Sequence, residues 1–403
     1  MTTATATTPD AGSPYELEHE LFRETVRDFI TRHVLPHERQ WDRDGIVPRE
    51  FFTAAAQAGV LGFEVPEEHG GAGIADFRFN AVIAEEIAHA CVTGAMLGLV
   101  LHNDVCLPYF LRYASPEQKE RWLPGIAAGE LVTAIAMTEP GTGSDLQGIQ
   151  TSAIRDGDRW LLSGSKTFIT NGIHADLVIV AACTDRAAGA RGFSLFVVER
   201  GAAGFTRGRN LEKLGLHAQD TAELFFDDLE VTDDQLLGEE GLGLIYLMSN
   251  LVQERMSLAV CAQASAATAV QQTIDYVRER KAFGRSLGAL QHVRFELADL
   301  HADVEMGRAY LDQCLRRMVA GTLTPEDAAI AKWRLSDMQG RVLDRCLQLF
   351  GGYGYMTEYP ISRAYADARV TRIFGGANEI MKEIVGRSLQ LDGAARSTTR
   401  TPA

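Results

Sequence analysis

Residues 243–284 read GLIYLMSNLVQERMSLAVCAQASAATAVQQTIDYVRERKAFG. Between its two terminal glycines the stretch has no proline and no glycine, and it is dense in alanine, leucine and glutamine. Such a run predicts one helix, ~60 Å long at the helical rise. Leu247, Leu251, Leu258 and Cys261 fall at helical spacing on one face, and Glu254 lies on that stripe. A carboxylate on an apolar face is costly to desolvate, so it needs a partner, a raised pKa or a chemical task. Two readings follow. Glu254 is a rim residue whose head reaches water or an arginine, or it is a general base in an apolar pocket. The sequence on either side has to separate them.

The 403-residue chain can bury a large core, divided into two or three domains. Charged residues make up 23 % and hydrophobic ones 46 %, the profile of an ordinary soluble globular protein. Lys+Arg 39 against Asp+Glu 54 gives a net charge of -15, which argues against a nucleic-acid surface. A local basic pocket for a phosphorylated ligand stays compatible with that balance. Residues 1–14 are polar, lack arginine and have no apolar core, so they predict a disordered tail rather than a signal or transit peptide. No apolar run reaches the length expected of a membrane span. Cys91, Cys106, Cys183, Cys261, Cys314 and Cys346 include no Cys-x-x-Cys pair, which predicts reduced, buried thiols and a cytoplasmic protein. His33 and His37 have a metal-compatible spacing, but Pro36 interrupts their helix, so they read as solvated side chains and no structural metal is expected.

Taken in order, residues 15–130 carry a helical period. Helices are expected at 16–43, with a break at Pro36, and at 49–58, 77–97 and 115–127. Ser115-Pro116-Glu117-Gln118 is a well-formed helix start, with a capping serine, a first-turn proline and a glutamine three after the cap. The glycine-rich 69–73 follows no strand and reads as a connector. Residues 131–240 hold short β-branched and aromatic runs at 132–137, 151–155, 159–163, 177–182, 193–198 and 223–226, with a hairpin signal at Asp156-Gly157. Strands without intervening helices predict a small antiparallel barrel or sandwich, and no strand–GxGxxG–helix unit is present for a nicotinamide cofactor. Residues 241–403 are helical again, with helices expected at 290–319, 324–350 and 378–389 after the long one. The class is α+β, in the order helical domain, β-domain, helical domain.

Three stretches carry chemistry. At the end of the first strand stands Ala136-Met137-Thr138-Glu139-Pro140-Gly141-Thr142-Gly143-Ser144-Asp145, whose glycines and free N–H groups can wrap a polar ring edge or a phosphate. Lys166-Thr167-Phe168-Ile169-Thr170-Asn171-Gly172 sets an aromatic and a hydroxyl two apart on a strand. Gln348-Leu349-Phe350-Gly351-Gly352-Tyr353-Gly354-Tyr355 is followed by Arg363, Asp367 and Arg369, then by Phe374-Gly375-Gly376-Ala377-Asn378-Glu379, where glycines precede a helix N-terminus.

Together these stretches resemble the acyl-CoA dehydrogenase family, over nearly the whole chain. The Thr-Glu-Pro-Gly-x-Gly-Ser-Asp and Gln-x-x-Gly-Gly-x-Gly stretches are similar to that family's two diagnostic motifs. The resemblance implies a C-terminal four-helix bundle and FAD bound between the β-domain and that bundle. By position, Ile135, Met137, Thr138, Gly143 and Ser144 would hold the flavin, and Phe168, Ile169 and Thr170 would line its ring. Many members have tryptophan where this chain has Phe168. Arg280, Phe283, Gln291, Gln348, Gly351 and Gly352 would reach FAD bound by a neighbouring subunit, and Ala377, Asn378 and Glu379 its ADP half. A homo-oligomer, a tetramer, follows from that sharing.

The base departs from much of the family, in which a glutamate occupies the position of Gly375. A smaller branch, with the long-chain and isovaleryl enzymes, places it on the central helix before an arginine, as Glu254-Arg255 does here. The resemblance therefore implies Glu254 as base, with Gly375 supplying a backbone N–H to the thioester oxygen. A glycine at 375 is also expected to leave room for a side chain. Ser144, Leu251, Arg255, Phe374 and Gly376 would contact the acyl-CoA, Arg255 near its CoA part. Many members have an acidic residue two before the base position, where this chain has Val252. The implied reaction is α,β-dehydrogenation of a medium- or long-chain or branched acyl-CoA, with an electron-transfer flavoprotein as acceptor. A flavin oxidase or monooxygenase on the same fold, and a non-enzymatic helical scaffold, are the competing readings.

Overall fold

A computed structural model describes residues 12–391. The tail expected over 1–14 lies, as far as residue 11, outside the described residues. The first helix, α1 (Leu17–Phe29), passes through a π-helical turn and gives way around Pro36 before α2 (Glu38–Asp44), so the expected break is present. After α3 (Glu50–Gln57), the run expected as one helix over 77–97 is two, α4 (Phe77–His89) and α5 (Thr93–Val100), parted where Cys91 adopts a positive φ. A π-helical segment joins α5 to α6 (Leu107–Tyr113), and α7 (Pro116–Ala127) opens with the reciprocal Ser115–Gln118 capping bonds. The continuous segment Thr93–Tyr113 is long and apolar enough by composition to cross a bilayer, which corrects the expectation of no such run. Its most apolar window is 78 % buried inside the fold, as in the core helix of a globular protein.

Seven strands form one sheet: β1 (Thr133–Ala136), β2 (Ser152–Asp156), β3 (Arg159–Thr170), β4 (Leu177–Cys183), β5 (Phe193–Glu199), β6 (Phe205–Asn210) and β7 (Thr221–Thr232). Their order is β1-β4-β2-β3-β7-β6, with β5 on β4. The hairpin forms where Asp156-Gly157 predicted it, with Asp156 facing Arg159. The sheet is not wholly antiparallel, because β1 and β2 both pair with β4 in the parallel sense. A bulge between Lys166 and Ile169 interrupts β3 against β7.

The long helix is α8 (Gly243–Glu279), 37 residues or ~55 Å. A two-residue ribbon, β8 (Lys281–Ala282) with β9 (Arg285–Ser286), leads to α9 (Gln291–Val319), α10 (Pro325–Phe350), α11 (Pro360–Ala368) and α12 (Asn378–Ser388). Small side chains let α8 lie close along α10, and it also packs on α4 and α9. Met256, Ala259, Val260, Ala266 and Ala269 of α8 share a core with Ala81 and Val82 of α4 and Leu335 and Val342 of α10. All six cysteines are free, and Cys106, Cys183, Cys314 and Cys346 are buried.

Asp176 fastens the helical domain to the sheet. Its carboxylate accepts the Val132 N–H at 2.8 Å and Arg200 Nε at 3.0 Å, and Arg49, just before α3, also donates to it. Asp176→Ala leaves a buried N–H without its acceptor and takes the carboxylate from two half-exposed guanidiniums, which keep only their carbonyl partners. It is expected to lower unfolding free energy by about 2 kcal/mol, read as a lower urea midpoint. An unchanged midpoint would remove Asp176 from this role.

Candidate active site

Glu254 sits in the first third of α8, half-buried, and makes no side-chain hydrogen bond or ion pair among the described residues. Burial pushes its pKa up to about 7, against the opposing pull of the Arg255 and Lys332 charges. Burial and then the Glu254 charge raise the Tyr109 phenol well above its usual range, which places Tyr109 beside the carboxylate.

The turn into α12 meets Glu254 from the other side. Gly375 and Gly376 have φ of 61° and 91°, a conformation that favours glycine. A Cβ built on Gly375 would lie 3.4 Å from Glu254 Oε1. Residues 254 and 375 therefore address the same point in space. The room expected at Gly375 is not free: the same Cβ would lie 2.3 Å from Leu258 Cδ1. A side chain there needs Leu258 to swing away and a strained backbone to be held.

Lys332, which the sequence reading passed over, anchors this turn. It is completely buried, and its Nζ donates to Gly376 O at 2.7 Å and to Asn378 Oδ1 at 3.0 Å. Asn378 in turn donates to Ser336 and Asp337, so its side chain is held inside the protein and is not free to contact a nucleotide. Glu379, the next residue, is exposed in the first turn of α12, and Ala377 caps that helix. Arg255 is 6 % exposed with its Nε unpartnered, which does not match the outer CoA contact expected of it.

An apolar cavity lies one turn along α8 from Glu254, which is not itself among the residues that line it. Ala84 and Ile87 of α4, Leu97 and Val100 of α5, Leu258 and Cys261 of α8, Leu216 and Phe374 line it. Cys261, Asp367 and Thr371 also line a second cavity further along α8, toward Cys91, Ala269 and Gln272. Leu251 is half-buried one turn before Glu254 and lines neither cavity.

The glycine turn after β1 is held from beneath by a buried ion pair. Lys166 Nζ donates to Glu139 Oε1 at 2.9 Å and to Met137 O at 3.1 Å, and Glu139 also accepts the N–H groups of Gln150 and Thr151. Burial raises the Glu139 carboxyl, yet these bonds together hold it below its usual range. Burial lowers Lys166 to about 8. Above the pair, Gly141 faces open space, a Cβ on Gly143 would meet only Thr138 Cγ2 at 3.9 Å, and Ser144 is exposed. Thr138 and Thr170 are half-buried, and Phe168 is 68 % exposed at a φ of 60°. The side chains of Ile135 and Ile169 belong to the cores behind the turn, so they can reach a bound group only through backbone atoms.

Arg280, Phe283, Gln291, Gln348, Gly351 and Gly352 gather elsewhere, where α8 and α10 end and α9 begins. The Arg280 guanidinium lies over the Tyr353 ring, 5.3 Å from its centroid, and forms no ion pair among the described residues. Phe283 is 91 % exposed, and a Cβ on Gly351 or Gly352 would meet nothing within 4 Å. Along α8, Arg280 stands ~39 Å from Glu254.

Comparison with known proteins identifies the family. Residues 16–130, 134–229 and 241–390 match the N-terminal, middle and C-terminal domains of acyl-CoA dehydrogenase. The chain is 47 % identical over 380 residues to the mitochondrial long-chain specific acyl-CoA dehydrogenase of Sus scrofa, covering 94 % of this chain and 88 % of that one. An acyl-CoA dehydrogenase crystal structure from Geobacillus kaustophilus superimposes with a TM-score of 0.91 at 46 % identity, over 96 % of this chain and 100 % of that chain. A glutaryl-CoA dehydrogenase from Mycobacterium smegmatis, solved in complex with FADH2, gives a TM-score of 0.87 at 28 % identity, over 95 % and 97 % of the two chains. Matched through all three domains in order, the chain belongs to the acyl-CoA dehydrogenase family.

Proposed function

We propose that this chain is an FAD-dependent dehydrogenase of long acyl-CoA thioesters, with Glu254 as the base that removes the α-proton. The observation that carries the reading is the 3.4 Å approach of Glu254 Oε1 to a Cβ position on Gly375. A carboxylate from the central helix thus reaches the place where most of the family bring one from residue 375. A base must be ionised yet poorly solvated, and a pKa of about 7 meets both needs near neutrality. The Gly375 N–H, presented by a turn that Lys332 anchors, suits a thioester oxygen that gains charge as the proton leaves.

The residues fit FAD. The turn from Thr138 to Ser144 is open and glycine-lined over a buried ion pair, Phe168 is an uncovered aromatic wall beside Thr170, and Arg280 is a cation without a carboxylate. When bound, FAD supplies the hydride acceptor for the β-hydrogen, so that the product is a trans-2-enoyl-CoA. At ~39 Å along α8, Arg280 is too far from Glu254 to share one flavin with it. With Gln348, Gly351 and Gly352 it would serve the flavin of a neighbouring subunit, which makes the chain an obligate oligomer, a tetramer by family resemblance. An electron-transfer flavoprotein is the acceptor that the family resemblance supplies. The apolar cavity and the second cavity, which share Cys261 as a wall, suit a long acyl chain if they join, consistent with the name of the pig relative.

Glu254→Gln should slow substrate-driven flavin bleaching by about 10²–10⁴-fold while acyl-CoA still binds. The wild-type rate should climb with pH through about 7, since only the carboxylate accepts the proton. Bleaching at the wild-type rate in the variant would end the assignment. Gly375→Glu in that background should restore activity only when Leu258→Ala removes the Cδ1 obstruction. Cys261→Phe should close the passage between the cavities and cut kcat/KM at least tenfold for long chains, leaving butyryl-CoA nearly unaffected. Equal losses for both substrates would place the chain end elsewhere. Arg280→Ala should lower FAD content more than it lowers kcat per bound flavin, and unchanged FAD affinity would sink the cross-subunit contact.

A further inference from the structure

Lys332 poses a problem that tethering alone does not solve. It is fully buried on the inner face of α10, and both of its acceptors, Gly376 O and Asn378 Oδ1, are neutral. It forms no ion pair with a carboxylate among the described residues. Burying an ammonium group without a counter-ion is strongly unfavourable, and a neutral amide donor could hold a carbonyl at lower cost. The positive charge is therefore what needs explaining.

The surroundings supply the answer. Charged groups face Lys332 from three helices: Glu254 and Arg255 on α8, Asp337 on its own α10, and Glu379 on α12. Glu254 is faced by Arg255 and Lys332, with Tyr109 of α6 and Cys106 just before it close enough to feel its charge. Asp337 already accepts from Trp333 and Asn378. Glu379 is exposed to solvent. Of these three acids only Glu254 is both withdrawn from full solvent exposure and without a side-chain partner among the described residues. Two buried cations without ion pairs among the described residues, Arg255 and Lys332, thus bracket one half-buried carboxylate.

We infer that Lys332 is a positioning residue for proton abstraction, which tethers the Gly375–Gly376 turn and whose charge keeps Glu254 in its carboxylate form. This rests on Glu254 being the base. The charge acts across space without a hydrogen bond, so the carboxylate keeps its lone pairs free for the substrate proton. A direct ion pair would oppose transfer more strongly. Burial, and then the neighbouring Arg255 charge, lower Lys332 itself to about 8, so its influence covers the interval in which Glu254 ionises and fades above it.

The test compares holoenzymes carrying Lys332→Gln, Lys332→Met and Lys332→Arg, each checked for flavin content and oligomeric state. Lys332→Gln keeps a donor for Gly376 O and loses the charge. Its acid limb for flavin reduction should move up by about one pH unit, so that the rate below neutrality falls about tenfold. The rates should converge with wild type at alkaline pH, where Lys332 has lost its own proton. Lys332→Met should move the limb equally, and Lys332→Arg should leave it in place. Independently of turnover, the infrared band of a protonated carboxyl that Glu254→Gln removes should persist to higher pH in Lys332→Gln than in wild type. A rate lowered equally at every pH, with that band titrating as in wild type, would reduce Lys332 to a structural tether and overturn the inference. Failure of Glu254→Gln to abolish bleaching would instead remove the base assignment, whatever Lys332 does.

Discussion

Everything in this protein is arranged around the burial of α8. A ~55 Å helix with a long apolar stripe is stable only when neighbours enclose it along its length. Alanines at 259, 262, 266 and 269 let α10 and α4 approach closely enough to do so. That enclosure excludes water from the covered face of the helix, and any charge placed there is dealt with by the protein alone. Glu254 stands in the first third of the helix, half-buried. Its raised pKa, the apolar cavity one turn along and the buried cations around it are consequences of one packing constraint.

The two glycine-rich turns of the site are built on the same device. Each is held from inside by a fully buried lysine that donates to a carbonyl of the turn, Lys166 to Met137 O and Lys332 to Gly376 O. Glycine gives a turn the freedom to approach a ligand, and that freedom has to be removed again if the N–H groups are to stay aimed. The devices differ in charge. Lys166 has Glu139 as a hydrogen-bonded counter-ion, whereas Lys332 has only neutral acceptors. The first turn is electrically closed, and the second leaves a positive charge acting on Glu254.

Much of this was legible in the sequence because the signals were local and strong. The Ser115 and Thr324 helix starts and the Asp156-Gly157 hairpin formed where they were expected, and the long helix did so except that it ends at Glu279, short of the expected Gly284, where a two-residue ribbon begins. Elements without a local signal escaped. β6 reads Phe-Thr-Arg-Gly-Arg-Asn, and its polar residues and glycine conceal an edge strand that only pairing with β7 defines. α11 is nine residues long and follows a glycine cluster. The parallel pairing of β1 with β4 is a tertiary choice that no strand announces by itself. Lys332 is the instructive omission. It lies on the stripe of Ala328, Ala331, Leu335 and Met338, a charge on an apolar face just as Glu254 is. The reasoning that singled out the glutamate applied equally to the lysine. Ile135, Ile169 and Asn378 show the opposite limit, since a motif gives the positions near a ligand but not which side chains turn inward.

The unpartnered carboxyl of Glu254 also has a consequence for the durability of the fold. Its ordinary pKa of 4.5 applies to the unfolded chain, and about 7 applies when folded. Between those values the folded protein still binds a proton that the unfolded chain has released, so stability falls as pH rises through the interval. Above pH 7 the accumulated loss from this one group is about 3 kcal/mol. Ionisation readies the site for proton removal and weakens the folded state at the same time. At this one position the charge that proton removal needs is the charge that costs the fold stability, and a neutral residue at 254 would remove the cost together with the base.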